Sequence, residues 1–334
     1  MLMDHQPKIT LDEIAQQLGL SKTTVSRALS GKGRVSRKTR EKVTQLARSL
    51  GYAVPPPLKP EAHPTGNLSL VIPHQFVQLD LPFLRRWMGG ISRMAGQRGY
   101  DLLMCYADES DTGQLQRQLA AGKADGVILS RTLLSDPCLE LVRQYGIPCV
   151  AAGRLADENA LQVSSDYEAA AREMTRMLLQ SGARRIAFLG GNLNYTVNAD
   201  RLAGFRRGIT EAGLPLDEAL VFTGVETEEQ RTDALDAALE QRPDCLLCGD
   251  DSLTLSALKG LRQKEISIPE QLRLASLYDS EGLAEASPPI TAVHFDAAAL
   301  GAAACRLLLD FMAGRDVFPR QMLEYQVIFR QSTK

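Results

Sequence analysis

The sequence is short of what enzymes and membrane proteins need. It has four histidines (His5, His63, His74 and His294) and a single tryptophan, Trp87, in 334 residues. Two of those histidines fall in the first 63 residues, so little imidazole remains for acid–base work. No G-x-S-x-G elbow, H-E-x-x-H pair or G-x-x-x-x-G-K-[ST] loop occurs, which removes the common hydrolase, zinc-protease and nucleotide-triphosphate readings. Gly190-Gly191 follows an apolar run but lacks the rest of a dinucleotide fingerprint, and reads as a tight turn. No uncharged apolar stretch approaches the roughly 18 residues of a membrane span, and no apolar N-terminal export signal is present. A cytoplasmic chain without a membrane partner is expected. The six cysteines are scattered, mostly inside apolar runs, and read as reduced core residues. Cys245 and Cys248 form a CxxC within an expected strand, where they point to opposite faces and lack further zinc ligands. No cofactor or metal is expected, and no catalytic residue is nominated.

What is present begins at the N-terminus. Residues 1–60 hold 11 Lys and Arg against four Asp and Glu, while the remaining residues hold 27 against 36. The formal net charge of −2 therefore hides a basic head on an acidic body. Within the head, Leu11, Ile14, Ala15 and Leu18 recur at helical spacing, and Gly19 ends that helix. Ser21 can cap a second helix with core contacts at Val25 and Leu29. Between those contacts stand Lys22, Thr23, Thr24, Ser26 and Arg27, which are short or cationic hydrogen-bonders. Such a face suits the floor of a DNA major groove, and a basic head gains by releasing counterions beside phosphates. The alternative is a small exposed bundle that merely carries charge.

A third helix is expected from Ser36 to Leu50, stopped by Gly51. Five prolines between 55 and 64 then favour an extended linker. From Asn67 short apolar strands alternate with amphipathic helices. Strands are expected at 68–73, 101–106, 126–130, 148–152, 185–190, 219–223, 245–249 and 272–277. Helices are expected at about 82–98, 112–122, 136–145, 167–181, 199–213, 228–241 and 252–264. Continuous apolar strands point to parallel sheets covered on both faces, with ligands at the carboxyl ends of the strands. So many units imply two similar lobes with a cleft between them. The expected class is an all-α helix-turn-helix head plus a two-lobed, doubly wound α/β body.

These motifs together resemble the lactose/galactose repressor family. The resemblance rests on T-L-x-E-I-A-x-x-x-G-L-S-x-x-T-V-S-R-x-L from Thr10 to Leu29, on Arg34 to Val43, and on Leu50 to Tyr52. In the body it rests on Asp125-Gly126, Gly146 to Pro148, Arg201 to Phe205, Cys248 to Asp251, Ser287 to Thr291 and Arg330 to Thr333. It implies a periplasmic-binding-protein-like body and a regulator of transcription, a repressor, that binds double-stranded operator DNA as a homodimer. A small polar effector (a sugar, sugar acid or sugar phosphate) would bind between the lobes. It also implies a head over 1–54, a linker over 55–66 and an effector-binding and dimerisation domain over 67–334. Lobe one would take about 67–162 and 294–319, and lobe two about 163–293 and 320–334. The chain stops after its last strand, which favours a dimer over a tetramer. The competing reading is a cytoplasmic sugar-processing enzyme or sugar-binding protein with an appended helical head.

By the resemblance, Lys22, Thr23 and Arg27 meet base edges, and Thr10, Ser21, Thr24, Ser26, Arg34, Ser36, Thr39 and Arg40 grip phosphates. Arg201 and Asp251 match the effector-binding positions, or else form a salt bridge or a helix-start carboxylate. His74 and Gln75 leave the first strand at its carboxyl end and should line the cleft. Asp166 and Asp279 stand at strand ends, as ligand contacts or as helix caps. Phe83 and Trp87 are either core or dimer-face residues or ligand stackers, with Phe83 the one nominated. Three departures from the family stand out: prolines and Glu61 replace a hinge helix ending in leucine, the loop from Pro73 to Pro82 is longer, and Gly224-Val225-Glu226 replaces an aromatic residue. The last makes a ring-stacked hexose less secure and favours a sugar acid, a phosphorylated sugar or another small polar metabolite.

Overall fold

The computed structural model describes residues 11–30, 35–36, 39, 42–43, 45–47, 64–74 and 82–334. The expectations at Thr10, Arg34, Arg40 and Gln75, the prolines at 55–60 and most of the loop after Pro73 lie outside the described residues.

In the head, α1 (Leu11–Leu18) and α2 (Lys22–Ser30) are joined at Gly19. Its φ of 63° is the left-handed value that a helix stop favours in glycine. Ile14, Ala15, Val25, Ala28 and Leu29 are buried with Val43 and Ala47 of the third helical segment. The Thr24 amide donates to Ser21 Oγ at 3.1 Å, and the Thr39 amide donates to Ser36 Oγ at the same distance. Each serine thus satisfies an amide that the start of a helix leaves open.

The body runs β1 (Asn67–Ile72), α3 (Pro82–Gln97), β2 (Asp101–Tyr106), α4 (Gly113–Ala120), β3 (Gly126–Leu129), α5 (Pro137–Tyr145), β4 (Cys149–Ala152) and β5 (Leu161–Ser165). It continues with α6 (Tyr167–Gln180), β6 (Ile186–Leu189), α7 (Thr196–Glu211), β7 (Val221–Phe222), α8 (Glu228–Glu240), β8 (Cys245–Cys248), α9 (Asp251–Gln263), β9 (Arg273–Ser276), α10 (Glu281–Ala284) and β10 (Thr291–Phe295). Last come α11 (Ala297–Met312), β11 (Arg320–Leu323) and β12 (Tyr325–Ile328).

Two six-stranded sheets result, ordered β11-β5-β4-β3-β1-β2 and β12-β10-β9-β8-β6-β7. The first is parallel throughout, whereas β12 closes the second antiparallel to β10. Both faces of each sheet are covered, so strands such as Gly126–Leu129 and Cys245–Cys248 are buried at every residue. Cys245 and Cys248 indeed sit in apolar clusters on opposite faces of the second sheet. Helices pair closely in both lobes. A Cβ on Gly301 would lie 2.2 Å from the Trp87 carbonyl oxygen, and one on Gly204 would lie 2.1 Å from that of Glu168.

The lobe boundaries differ from those expected. Residues 163–165 and 320–323 belong to the first sheet, and 294–295 to the second. Register decides this: β11 pairs with β5 from Arg320 to Leu323, and β10 pairs with β12 through Phe295. The chain therefore crosses between lobes at Asp166, Asp296 and Glu324. Asp166 and Asp296 each cap the following helix, accepting from the amides of Ala169 at 2.8 Å and Ala299 at 2.9 Å. Residues 219–223, expected as a full strand, form a 3-10 turn at Glu218–Leu220 and the two-residue β7. Trp87 lies fully buried in the core of the first lobe.

Candidate functional site

Two surfaces can bind something. On α2 the residues between core contacts face outward: Lys22, Thr23, Ser26 and Arg27 are exposed, Ser21 precedes them exposed, and Thr24 is half-buried. The same geometry that buries Val25, Ala28 and Leu29 puts these donors together on the opposite face. Thr24 Oγ1 lies 2.8 Å from Ser21 Oγ, and Thr39 Oγ1 lies 2.7 Å from Ser36 Oγ. The two serine oxygens thus hold the caps, and each threonine hydroxyl is hydrogen-bonded to its capping serine.

The second surface is a cavity between the lobes, at the carboxyl ends of both sheets. The first lobe contributes Phe83 from α3, Ser130, Arg131 and Thr132 after β3, Ala152 and Gly153 at the end of β4, and Leu300. The second contributes Tyr167, Val197, Arg201, Asp250, Asp251, Ser252 and Tyr278.

Of the body residues nominated from sequence, Phe83, Arg201 and Asp251 meet in this cavity. His74 and Asp279 are not in its lining. The backbone amide of His74 donates to Asp108 Oδ2 at 3.0 Å, and its Nδ1 lies 3.2 Å from the same oxygen. Asp279 accepts two bonds from the Arg330 guanidinium, at 2.7 and 2.9 Å, which fastens the chain terminus to the second lobe. Asp166 is a helix cap, the second of the two roles open to it.

Arg201 and Asp251 make no ion pair with each other among the described residues. Each is only 7% exposed. The Arg201 guanidinium carbon stands 5.6 Å from the Tyr167 ring centroid, Nη1 donates weakly to Asn198 Oδ1 at 3.5 Å, and Nε is buried with no partner. A buried donor without an acceptor is costly unless a ligand or water supplies one. Asp251 begins α9, whose cap is Asp250; the Leu253 amide donates to Asp250 Oδ1 at 2.9 Å. Burial, then the neighbouring Asp250 charge, pushes the Asp251 carboxyl up to about 6. Arg131 is desolvated, which lowers the pKa of its guanidinium.

Aromatic rings wall the cavity. Phe83 of the first lobe meets Tyr278 of the second edge-on, with centroids 5.5 Å apart, and Tyr278 stacks on Phe295 at 6.3 Å. So the loop at Gly224 lacks an aromatic residue, yet rings arrive from three other elements. Arg131, Tyr167, Asp250, Ser252 and Tyr278 were not nominated from sequence. Arg131 stands two residues after the apolar run of β3, and the strand-end rule that points to His74 points equally to it.

Polar contacts join the lobes around the cavity. The Arg154 guanidinium pairs with Asp200, its Nε donating to Oδ2 at 3.2 Å, and Arg86 pairs with Glu281. Leu133 and Tyr195 form an antiparallel bridge. Among the described residues, no group of three or more His, Cys, Asp or Glu could hold a metal ion, and no helix is long and apolar enough to cross a membrane.

The chain is similar to known proteins over nearly its full length. Residues 10–54 match the family described as bacterial regulatory proteins, lacI family, and residues 162–333 match the periplasmic binding protein-like domain. The HTH-type transcriptional regulator CelR of Thermobifida fusca is 29% identical, covering 99% of this chain and 100% of its own. Catabolite control protein A of Priestia megaterium is 27% identical over 98% of this chain and 99% of its own. A solved transcriptional regulator CelR-cellobiose complex superposes with a TM-score of 0.77 at 29% identity, covering 98% of this chain and 100% of that one.

Proposed function

Since the chain belongs to the lacI family of bacterial regulatory proteins, we propose that it is a cytoplasmic, homodimeric repressor released from or recruited to its operator by a carbohydrate. Its class is that of sequence-specific DNA-binding regulators of transcription. We read residues 1–54 as the DNA-binding head, 55–66 as the linker and the remainder as the effector-binding body. In the head, Lys22, Thr23 and Arg27 read base edges in the major groove. Ser21, Thr24, Ser26, Ser36 and Thr39, with Thr10, Arg34 and Arg40, set register on phosphates. Two heads in a dimer would read half-sites about one helical turn apart.

The observation that carries the effector reading is that Arg201 and Asp251 are both buried in one cavity without bonding each other. A guanidinium donates to hydroxyl or ring oxygens, and a carboxylate accepts from hydroxyls, so together they suit a polyhydroxylated ligand. The rings of Phe83, Tyr167 and Tyr278 suit the apolar face of a sugar. The effector acts only through its different affinity for the two closure states. No catalytic role is assigned to any residue.

The test is a mobility shift of the full-length protein on a duplex enriched from random sequence. We expect saturable binding that weakens steeply with salt and changes on adding cellobiose, the ligand in the CelR complex. Salt-insensitive or sequence-blind binding would overturn the regulator reading. Turnover of cellobiose by the pure protein would restore the enzyme alternative.

A further inference from the structure

We propose that the outer edge of β11 is an interface for a second copy of this chain. The copy adds its own β11 antiparallel, with Met322 on the two-fold axis. This contact lies away from both the head and the cleft, and it joins one homodimer to another.

β11 stands at the end of the first sheet and pairs with β5 on one side; among the described residues its other edge meets no strand. Such an edge is a template for a further strand. Side chains alternate along it without a break. Val317, Gln321, Leu323 and Tyr325 are half-buried, and Val317 and Leu323 pack on the core of the first lobe. Phe318, Arg320, Met322 and Glu324 point the other way and are exposed. Phe318 is 85% exposed and Met322 47%, so the outward row is apolar as well as charged.

Charge on an edge strand usually repels other strands. Here its pattern is self-complementary. With Met322 opposite its own copy, Arg320 of each chain falls opposite Glu324 of the other, on the same face of the joined sheet. Among the described residues neither side chain has an ion pair of its own chain to give up. An axis on Arg320 or on Glu324 would instead set like charges face to face, and an axis on Gln321 or Leu323 would set Met322 against a charge. Pro319 has no N–H to donate, so the new ladder ends there and stays short. The first sheet is parallel from β1 to β11, and the chain enters it from the N-terminal head at Asn67. The axis reverses the strands, so the two copies receive their linkers at opposite ends of the joined sheet. This pairing therefore does not set two heads on neighbouring half-sites; it ties together two dimers on separate stretches of DNA.

The test is sedimentation velocity of the full-length protein over a concentration series, with hydrogen exchange read on the same samples. The variants are Arg320→Glu, Glu324→Arg, the two together, and Met322→Asp, each checked for a cooperative unfolding transition. The unaltered protein should pass from dimer to tetramer mass as concentration rises, while amide exchange in β11 slows in step. Either single reversal should weaken that association about tenfold, because it turns two attractive cross-strand pairs into two repulsive ones. The double reversal restores both pairs and should return the association to within about twofold. Met322→Asp puts like charges on the axis and should abolish it. A step from monomer to dimer with the same reversal pattern would uphold the edge contact and remove the homodimer reading instead. The proposal is overturned if the mass is constant across the series, if the single reversals associate as well as the unaltered protein, or if the double reversal stays as weak as the singles.

Discussion

The outer face of α2 and the cleft use similar side chains in opposite surroundings. Lys22, Thr23, Ser26 and Arg27 stand in water, whereas Arg201 and Asp251 are each 7% exposed. Exposed cations are fully solvated, and their gain comes when a polyanion releases its counterions. Buried groups have already lost water, and one of them, Arg201 Nε, has no acceptor. The head should therefore respond to ionic strength, and the cleft to the hydrogen-bonding pattern of its ligand and to pH.

The largest effect should come from the buried side. Arg201→Ala should cost about 3 kcal/mol of effector binding, more than a hundredfold, because it removes a desolvated charged donor. Calorimetry at low and high salt checks the contrast. Effector affinity in the unaltered protein should change only a few-fold, since buried charges are poorly screened. A steep salt dependence of effector binding would erase the distinction between the two regions.

Arg27→Ala should cost about 1–3 kcal/mol of operator affinity and relax specificity at one base position. Measured on the DNA-free protein, its effector affinity should stay within about twofold, because distant sites contribute independently. Coupling beyond that would mean that the head touches the cleft energetics even off DNA.

The two regions also differ in how far sequence revealed them. The head is legible because its contacts are local: the spacing of Ile14, Val25 and Leu29 fixes which residues remain outside. Most parallel strands are legible from their continuous apolar runs, but β5 and β10 are absent from the expected strands because polar residues interrupt them. The half-buried hinge strands β11 and β12 are not legible either, because their side chains alternate weakly and their pairing partners lie 30 or more residues away in sequence. Nor is α11 legible by periodicity, since AAALGAAACRLLLDFM is apolar nearly all round and lies against the first sheet and α3. In the cleft, Arg201 and Asp251 are legible only through the family resemblance. Tyr167, Tyr278 and Arg131 come from three separate loops or helix starts, and only the tertiary fold brings them together. His74 and Asp279 obeyed the strand-end rule but were taken by Asp108 and Arg330.

A smaller effect concerns pH. The Asp251 carboxyl is raised from 3.8 to about 6, so between those values the folded protein holds a proton that the unfolded chain has lost. Stability from this group therefore falls as pH rises through that window, and Asp251→Asn should flatten the profile. A hydroxyl donating to Asp251 prefers the ionised form, so effector affinity should rise about tenfold from pH 5 to pH 7. The exposed face of α2 carries no carboxylate or imidazole, so a comparable step in operator affinity assigned to α2 would blur the contrast.

The smallest effect decides what the capping hydroxyls do. Ser21 Oγ accepts the Thr24 amide at 3.1 Å, so Ser21→Ala should destabilise the head by about 1 kcal/mol through the lost cap. A serine that also grips a phosphate adds a second loss, seen in operator affinity after the head's stability has been restored by lower temperature. That loss should be nearly uniform across operator sequences, because phosphates carry no base information. Ser36→Ala, at the matching cap, supplies the internal comparison. If both variants lose stability and only Ser21→Ala loses operator affinity, the phosphate grip belongs to the start of α2. If neither loses affinity at matched stability, the hydroxyls act as caps alone, and the electrostatic contact rests on the lysines and arginines of the head.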